Sequence, residues 1–162
     1  MAKGVYIISG GGLTLVNAVC TLVWINPDTD ASFEILRAWA SQSANATSNQ
    51  QRVQTNTQVT SFPTVTSVTP RKTAINDQAS TIVGATNGAA GTAGINATAE
   101  GAGSKSLLIE DSFNVLNGFL HVPTPLEVQS MNASAASGWG LHFPAAAISL
   151  ANWATGIFYR EL

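Results

Sequence analysis

The chain has 162 residues, enough for one domain that buries roughly 70% of the surface its unfolded form exposes, and two full domains are not expected. Only 10% of the residues are charged while 45% are hydrophobic, so the surface is covered mainly by Ser, Thr, Asn, Gln, Gly and Ala. Seven Lys and Arg against nine Asp and Glu give a net charge of -2, which excludes a basic footprint for nucleic acid and a polybasic membrane anchor.

The apolar run from Gly4 to Ile25 fails as a secretory signal, because Gly10-Gly11-Gly12 divides it and Thr14 and Asn17 interrupt its second half. Three consecutive glycines also argue against a spanning helix, and Val19 before Cys20 argues against lipid attachment. The expectation is an intact amino terminus in which Val5 to Ile8 and Leu13 to Ile25 are strands joined by the glycines as a hairpin or corner, ending at Asn26-Pro27-Asp28. Cys20 is the single cysteine, so no internal disulfide forms, and with no His or acid next to it in the sequence it reads as a small core residue.

Phe33 to Trp39 predicts a strand with Phe33, Ile35, Arg37 and Trp39 on one face and Glu34, Leu36 and Ala38 on the other. Arg37 there either lays its stem over apolar surface or pairs with a carboxylate. A loop is expected over Ala40 to Asn49, and then a half-exposed strand in which Val53, Thr55, Thr57 and Val59 alternate with polar residues. Phe62-Pro63 and Thr69-Pro70 break the middle of the chain, and Ser80 to Val83 reads as a short strand. Gly84 to Gly103 is rich in Gly, Ala and Thr and has almost no large side chains, so it reads as a loop tip or as a surface packed on a neighbour.

Hydrophobic segments return at Leu107 to Ile109, Phe113 to Leu116 and Phe119 to Val122, with Asn117-Gly118 as a hairpin turn or a bulge. Trp139, Leu141 and Phe143 alternate in one further strand, and Trp153, Thr155, Ile157 and Tyr159 in the next. About a dozen short strands with many Gly and Pro breaks point to one all-β domain over residues 1-162, a β-sandwich or jelly-roll-like barrel with long Gly/Ala/Ser/Thr-rich loops.

Motifs for chemistry are sparse. His121 and His142 stand in similar contexts, Leu-His-Val-Pro and Leu-His-Phe-Pro, and with Glu127 they are the candidate metal ligands; the plainer reading has each imidazole at a strand end bonding backbone or solvent. Glu34, Glu100, Glu110, Asp111 and Glu127 are dispersed, whereas glycoside hydrolysis needs two carboxylates on one cleft. Neither a G-x-S-x-G elbow nor a P-loop is present. The triplets beginning at Asn45, Asn96 and Asn132 match a glycosylation pattern by chance in so Asn-, Ser- and Thr-rich a chain. Trp24, Trp39, Trp139 and Trp153 are expected in the core, although an exposed one would offer a stacking surface for a sugar.

The opening Gly4 to Ala18, the run Phe33 to Val53, the segment Gly91 to Ala97 and the stretch Gly138 to Leu162 together resemble small head proteins of tailed bacteriophages. This resemblance in pattern extends over nearly the whole chain. It implies a capsid decoration, or cement, protein that sits on the outer shell and ties neighbouring capsomers together, with no catalysis and no cofactor. The implied partners are itself, as a homotrimer, and the major capsid protein; the implied location is the outer surface of a virion made in the bacterial cytoplasm. No catalytic, cofactor-binding or metal-binding residues are carried over, and neither nucleic acid nor membrane is expected as a partner. The alternative is a glycan- or receptor-binding module of a phage tail fibre or spike, which shares the all-β fold and requires exposed aromatics.

Overall fold

The computed structural model describes residues 4–16, 20–43, 47–86, 89–134, 136–147 and 149–162. The strands, in chain order, are β1 (Gly4–Leu13), β2 (Cys20–Ile25), β3 (Phe33–Gln42), β4 (Gln50–Val59), β5 (Thr64–Ser67), β6 (Arg71–Lys72), β7 (Val83–Gly84), β8 (Thr92–Ala99), β9 (Lys105–Asn114), β10 (Phe119–His121), β11 (Gln129–Met131), β12 (Ser137–Phe143) and β13 (Trp153–Glu161). Sheet A has the order β10-β3-β13-β1-β6, with β11 also on β3; sheet B has the order β5-β8-β2-β12-β4-β9, with β7 also on β8. Every pairing is antiparallel except β7 with β8. Among the described residues there is no helix, and so none long and apolar enough to cross a membrane.

The two sheets pack face to face as a β-sandwich. Alternation supplies the filling: Tyr6 and Ile8 from β1, Phe33 and Ile35 from β3, and Ile157 and Tyr159 from β13 meet Val23 and Ile25 from β2 and Trp139, Leu141 and Phe143 from β12, all fully buried in one core. Phe113, Phe143 and Trp153 close one end, with Phe143 and Trp153 edge to face at 4.8 Å between ring centroids.

Bulges decide what faces outward. In β3 the register against β13 slips between Ile35 and Arg37, leaving Leu36 as the extra residue. An extra residue in a strand that alternates with period two reverses the faces beyond it. Phe33 and Ile35 therefore point into the core, while beyond the bulge Ala38 and Ala40 take that role and Arg37 and Trp39 turn out. The expectation of one shared face for Phe33, Ile35, Arg37 and Trp39 fails for this reason.

The remaining differences from the expected strands have similarly local causes. The first two strands do not form a hairpin: β1 belongs to sheet A and β2 to sheet B, and the glycines form an irregularity inside β1, between Gly10 and Leu13, before the chain crosses over. Asn117-Gly118 likewise joins sheets, from β9 to β10, with Gly118 at φ +72° and its N–H donating to Asn114 O at 3.1 Å. The strand expected over Ser80 to Val83 shrinks to Val83–Gly84, and β3 runs through Ala40, Ser41 and Gln42, where a loop is expected to begin. The strand containing Val53 is not half-exposed: Val53 and Thr55 are buried on the core side, and Asn56 and Gln58 are buried on the opposite face.

The largest correction concerns Gly84 to Gly103. Its middle is β8, an interior strand of sheet B between β5 and β2, with Ala93, Ile95 and Ala97 in the core. Small residues are needed there because β5 lies close, and a Cβ on Gly94 would stand 2.6 Å from Thr66 O. A segment too small to build a core of its own is thus the right width to be built into one.

Candidate functional site

Three regions outside the core gather chemistry-bearing residues. The first is the outer face of sheet B. Thr21 and His142 are paired across β2 and β12 on this face, as are Trp24 and Gly140. Two loops cover the face, near residues 60–63 and 100–104. They interlock through Gly103 N to Ser61 O at 3.1 Å and Ala102 N to Ser61 Oγ at 3.2 Å. Gln58 Nε2 donates to Ser61 O at 2.6 Å and to Glu100 O at 3.0 Å, tying both loops to β4.

Under this roof Glu100 is the hub. Its carboxylate accepts from Thr21 N at 2.6 Å, Thr21 Oγ1 at 2.7 Å and Lys105 Nζ at 2.5 Å, and His142 Nδ1 lies 3.3 Å away. Burial alone would raise its pKa, but the hydrogen bonds from His142, Lys105 and Thr21 outweigh that effect and hold it at about 2. Cys20 lies beside this cluster, 3.7 Å from Asn96 Oδ1 and from Ala97 O, and burial followed by the Glu100 charge pushes its thiol up to about 12. A nucleophilic cysteine needs the opposite shift. The cluster is built to hold the roof down.

The second region is the outer face of sheet A, whose centre no described loop covers. Because of the bulge at Leu36, cross-strand pairing lines up Arg37, Phe158, Ile7 and Arg71 in one row and Leu120, Trp39, Gly156 and Ser9 in the next. Trp39 lies across Gly156, where a Cβ would stand 2.5 Å from its Cη2. Trp39 and Phe158 are tilted against each other with centroids 5.7 Å apart, and the Arg37 guanidinium stands over both rings at 5.8 and 5.9 Å. The result is an open groove of about 420 Å³, floored by Ile7, Trp39 and Phe158 and flanked by Leu120, Ser41 and Asn117.

The third region is the open side of the sandwich, where β9 ends sheet B and β10 ends sheet A. Leu107, Leu108, Leu120 and Val122 are 53, 45, 57 and 60% exposed along it. Between the two edges a cleft is lined by Leu108, Ile109, His121, Glu127 and Gln129. Burial lowers the His121 pKa, partly opposed by Glu127.

The candidate metal triad is not assembled: His121 stands near Glu127 on this side, whereas His142 belongs to the Glu100 cluster on sheet B, and the described residues contain no group of three His, Cys, Asp or Glu that could hold a metal. Nor does each imidazole simply bond backbone or solvent, since His142 meets Thr21 Oγ1 at 3.3 Å as well as Glu100. The dispersed acids are taken up locally: Glu34 by Arg160, Glu110 by Arg52, and Glu127 by Thr124. Asn96 is buried with Nδ2 donating to Thr14 O at 2.8 Å, and Asn132 is exposed. Asn45 and Val19 lie outside the described residues. Trp24, Trp139 and Trp153 are fully buried as expected, and Trp39 is the half-buried exception. Nothing in the sequence marks Phe158, Leu120 or Arg71 as neighbours of Trp39; the one local sign is Gly156, a gap in an otherwise bulky strand. Comparison with protein-family models, with curated proteins and with solved structures finds no match to this chain.

Proposed function

We propose that the chain is a structural virion protein, a homotrimeric decoration module that sits on the outside of a phage capsid and cements neighbouring capsomers. The observation that carries this reading is the open side of the sandwich. β9 is a ten-residue edge strand that pairs with β4 alone among the described strands, and between the charges of Lys105 and Glu110 it exposes Leu107 and Leu108 at a slip in register. Leu120 and Val122 are exposed on the facing edge of sheet A. Edges of this kind are compatible with solubility when another chain covers them, and a small-residue, nearly uncharged surface loses little side-chain entropy at such contacts. The contact role expected for Gly84 to Gly103 shrinks accordingly to the parts outside β8.

The test is the solution mass of the purified chain by light scattering, together with binding to capsids that lack the protein. A trimer that binds capsids, and a Leu108→Lys variant that folds but is monomeric and does not bind, are the expected results. A monomer that leaves capsids bare would sink the reading. A second reading, a glycan-binding module of a tail fibre or spike, is favoured by one observation, the open aromatic groove at Trp39.

A further inference from the structure

The groove at Trp39 rests on that second reading and carries it further, to a class of ligand. We infer that it is a binding site for a carboxylated saccharide, a uronic or similar acidic sugar, held by stacking on Trp39 and by an ion pair with Arg37.

Charge selects the ligand. Of the basic residues described, Arg52 is paired with Glu110, Lys105 with Glu100 and Arg160 with Glu34. Arg37, Arg71 and Lys72 have no carboxylate of a described residue within ion-pair distance; Lys72 pairs with Tyr6 and so lies on the other side of the sheet, whereas Arg37 and Arg71 lie in the row of the outer face that contains Phe158 and Ile7. Arg71 donates to Ser9 Oγ at 3.2 Å and does not line the groove, whereas the Arg37 guanidinium lines it and stands over the rings of Trp39 and Phe158. An arginine stacked this way is fixed in place and keeps its N–H fork, which matches a carboxylate in bidentate fashion. On a chain with net charge -2, this is a locally positive, aromatic surface.

Shape and chemistry select the sugar. The half-buried indole of Trp39, which packs against Gly156, offers apolar surface against which the C–H face of a pyranose can rest beside the Arg37 guanidinium. The exposed side chains of Ser41 and Asn117 at the rim can bond hydroxyls. A cavity of about 420 Å³ takes roughly one or two sugar rings. A purely apolar ligand would leave Arg37 unanswered, and a doubly charged phosphate would meet a groove lined by a single cation, Arg37.

The experiment titrates the full chain with trigalacturonate and, separately, with a neutral galactose trisaccharide, read by tryptophan fluorescence and calorimetry. Trp39 is the one tryptophan a ligand can reach without disturbing the core, so a saturable fluorescence change reports this groove. The expected result is millimolar-range binding of the acidic trisaccharide, at least about tenfold tighter than the neutral one. Arg37→Gln should abolish that ratio while sparing neutral binding; by calorimetry, since these variants lose the fluorescent reporter, Trp39→Ala should abolish both and Trp39→Phe should retain weakened binding. Equal affinity for the two sugars, or an acidic preference that survives Arg37→Gln, would overturn the inference and leave the glycan reading standing. No saturable binding of either sugar to the folded chain at about 50 mM would overturn both.

Discussion

The outer faces of the two sheets repeat one arrangement with opposite outcomes. Each lays a tryptophan across glycine in the adjacent strand: Trp24 of β2 over Gly138 and Gly140 of β12, Trp39 of β3 over Gly156 of β13. On sheet B the ring is then covered, with Phe62 at 5.5 Å between centroids and the Glu100 loop locked down beside it, so that it is fully buried. On sheet A no described loop covers the ring in the same way, and it remains half open beside an arginine that no described carboxylate neutralises. The local device is the same; what the chain adds on top determines whether it contributes stability or surface chemistry.

This contrast is sharpest in a pair of substitutions. Trp24→Ala should destabilise by roughly 3–5 kcal/mol, because it removes a large side chain from a closed site that cannot easily collapse. Trp39→Ala should cost about 1–2 kcal/mol, in keeping with partial burial. Urea unfolding of the two variants measures both, and equal losses would break the comparison.

Next in size is the roof itself. A carboxylate held below its ordinary pKa contributes stability that is present above that ordinary value and is lost as pH falls through the native one. For Glu100 that window runs from 4.5 down to about 2. With allowance for its partial exposure, the contribution is roughly 1–2 kcal/mol. Glu100→Gln should therefore be less stable than the parent near pH 7, and the gap should narrow as the pH is lowered through that window. Unfolding free energies collected from pH 7 to pH 2 test this, and a gap independent of pH would mean that the Glu100 charge does not hold the roof. On sheet A no counterpart is expected: Arg37→Gln should leave the pH profile of stability unchanged.

The smallest effect concerns Cys20, which should resist a thiol reagent at pH 8 in the native chain and react on unfolding, since both burial and the Glu100 charge suppress its thiolate. Rapid native labelling would show that the roof opens often, which would bring the two faces closer in character.

The strand content of the chain was legible because alternation and turn residues are local signals: Trp139-Leu141-Phe143 and Trp153-Thr155-Ile157-Tyr159 fill the core as their period-two spacing predicts. What alternation does not carry is parity across a bulge. Nothing in Ile35-Leu36-Arg37 marks Leu36 as the extra residue, so the outward turn of Arg37 and Trp39, and with it the groove, was invisible. Partner choice was equally hidden. β1 and β2 are adjacent in sequence but belong to different sheets, and the Gly/Ala-rich β8 gains its place from the close approach of β5, which no window of sequence contains. Glu100, His142 and Lys105 are ordinary residues until two loops bring them together.

The pairing of β1 with β13, from Gly4 opposite Glu161 to Leu13 opposite Trp153, has a kinetic consequence. β13 lies between β3 and β1, so the middle of sheet A forms only when strands from opposite ends of the topology have found each other, a search whose loop-closure entropy places the fold among slow, millisecond-to-second folders. Throughout that search the leucines of β9 are as accessible as they are in the finished monomer. The edge that would serve assembly is thus also the place where partly folded chains meet first, and the rate of sheet A closure governs how long each chain is open to the wrong encounter.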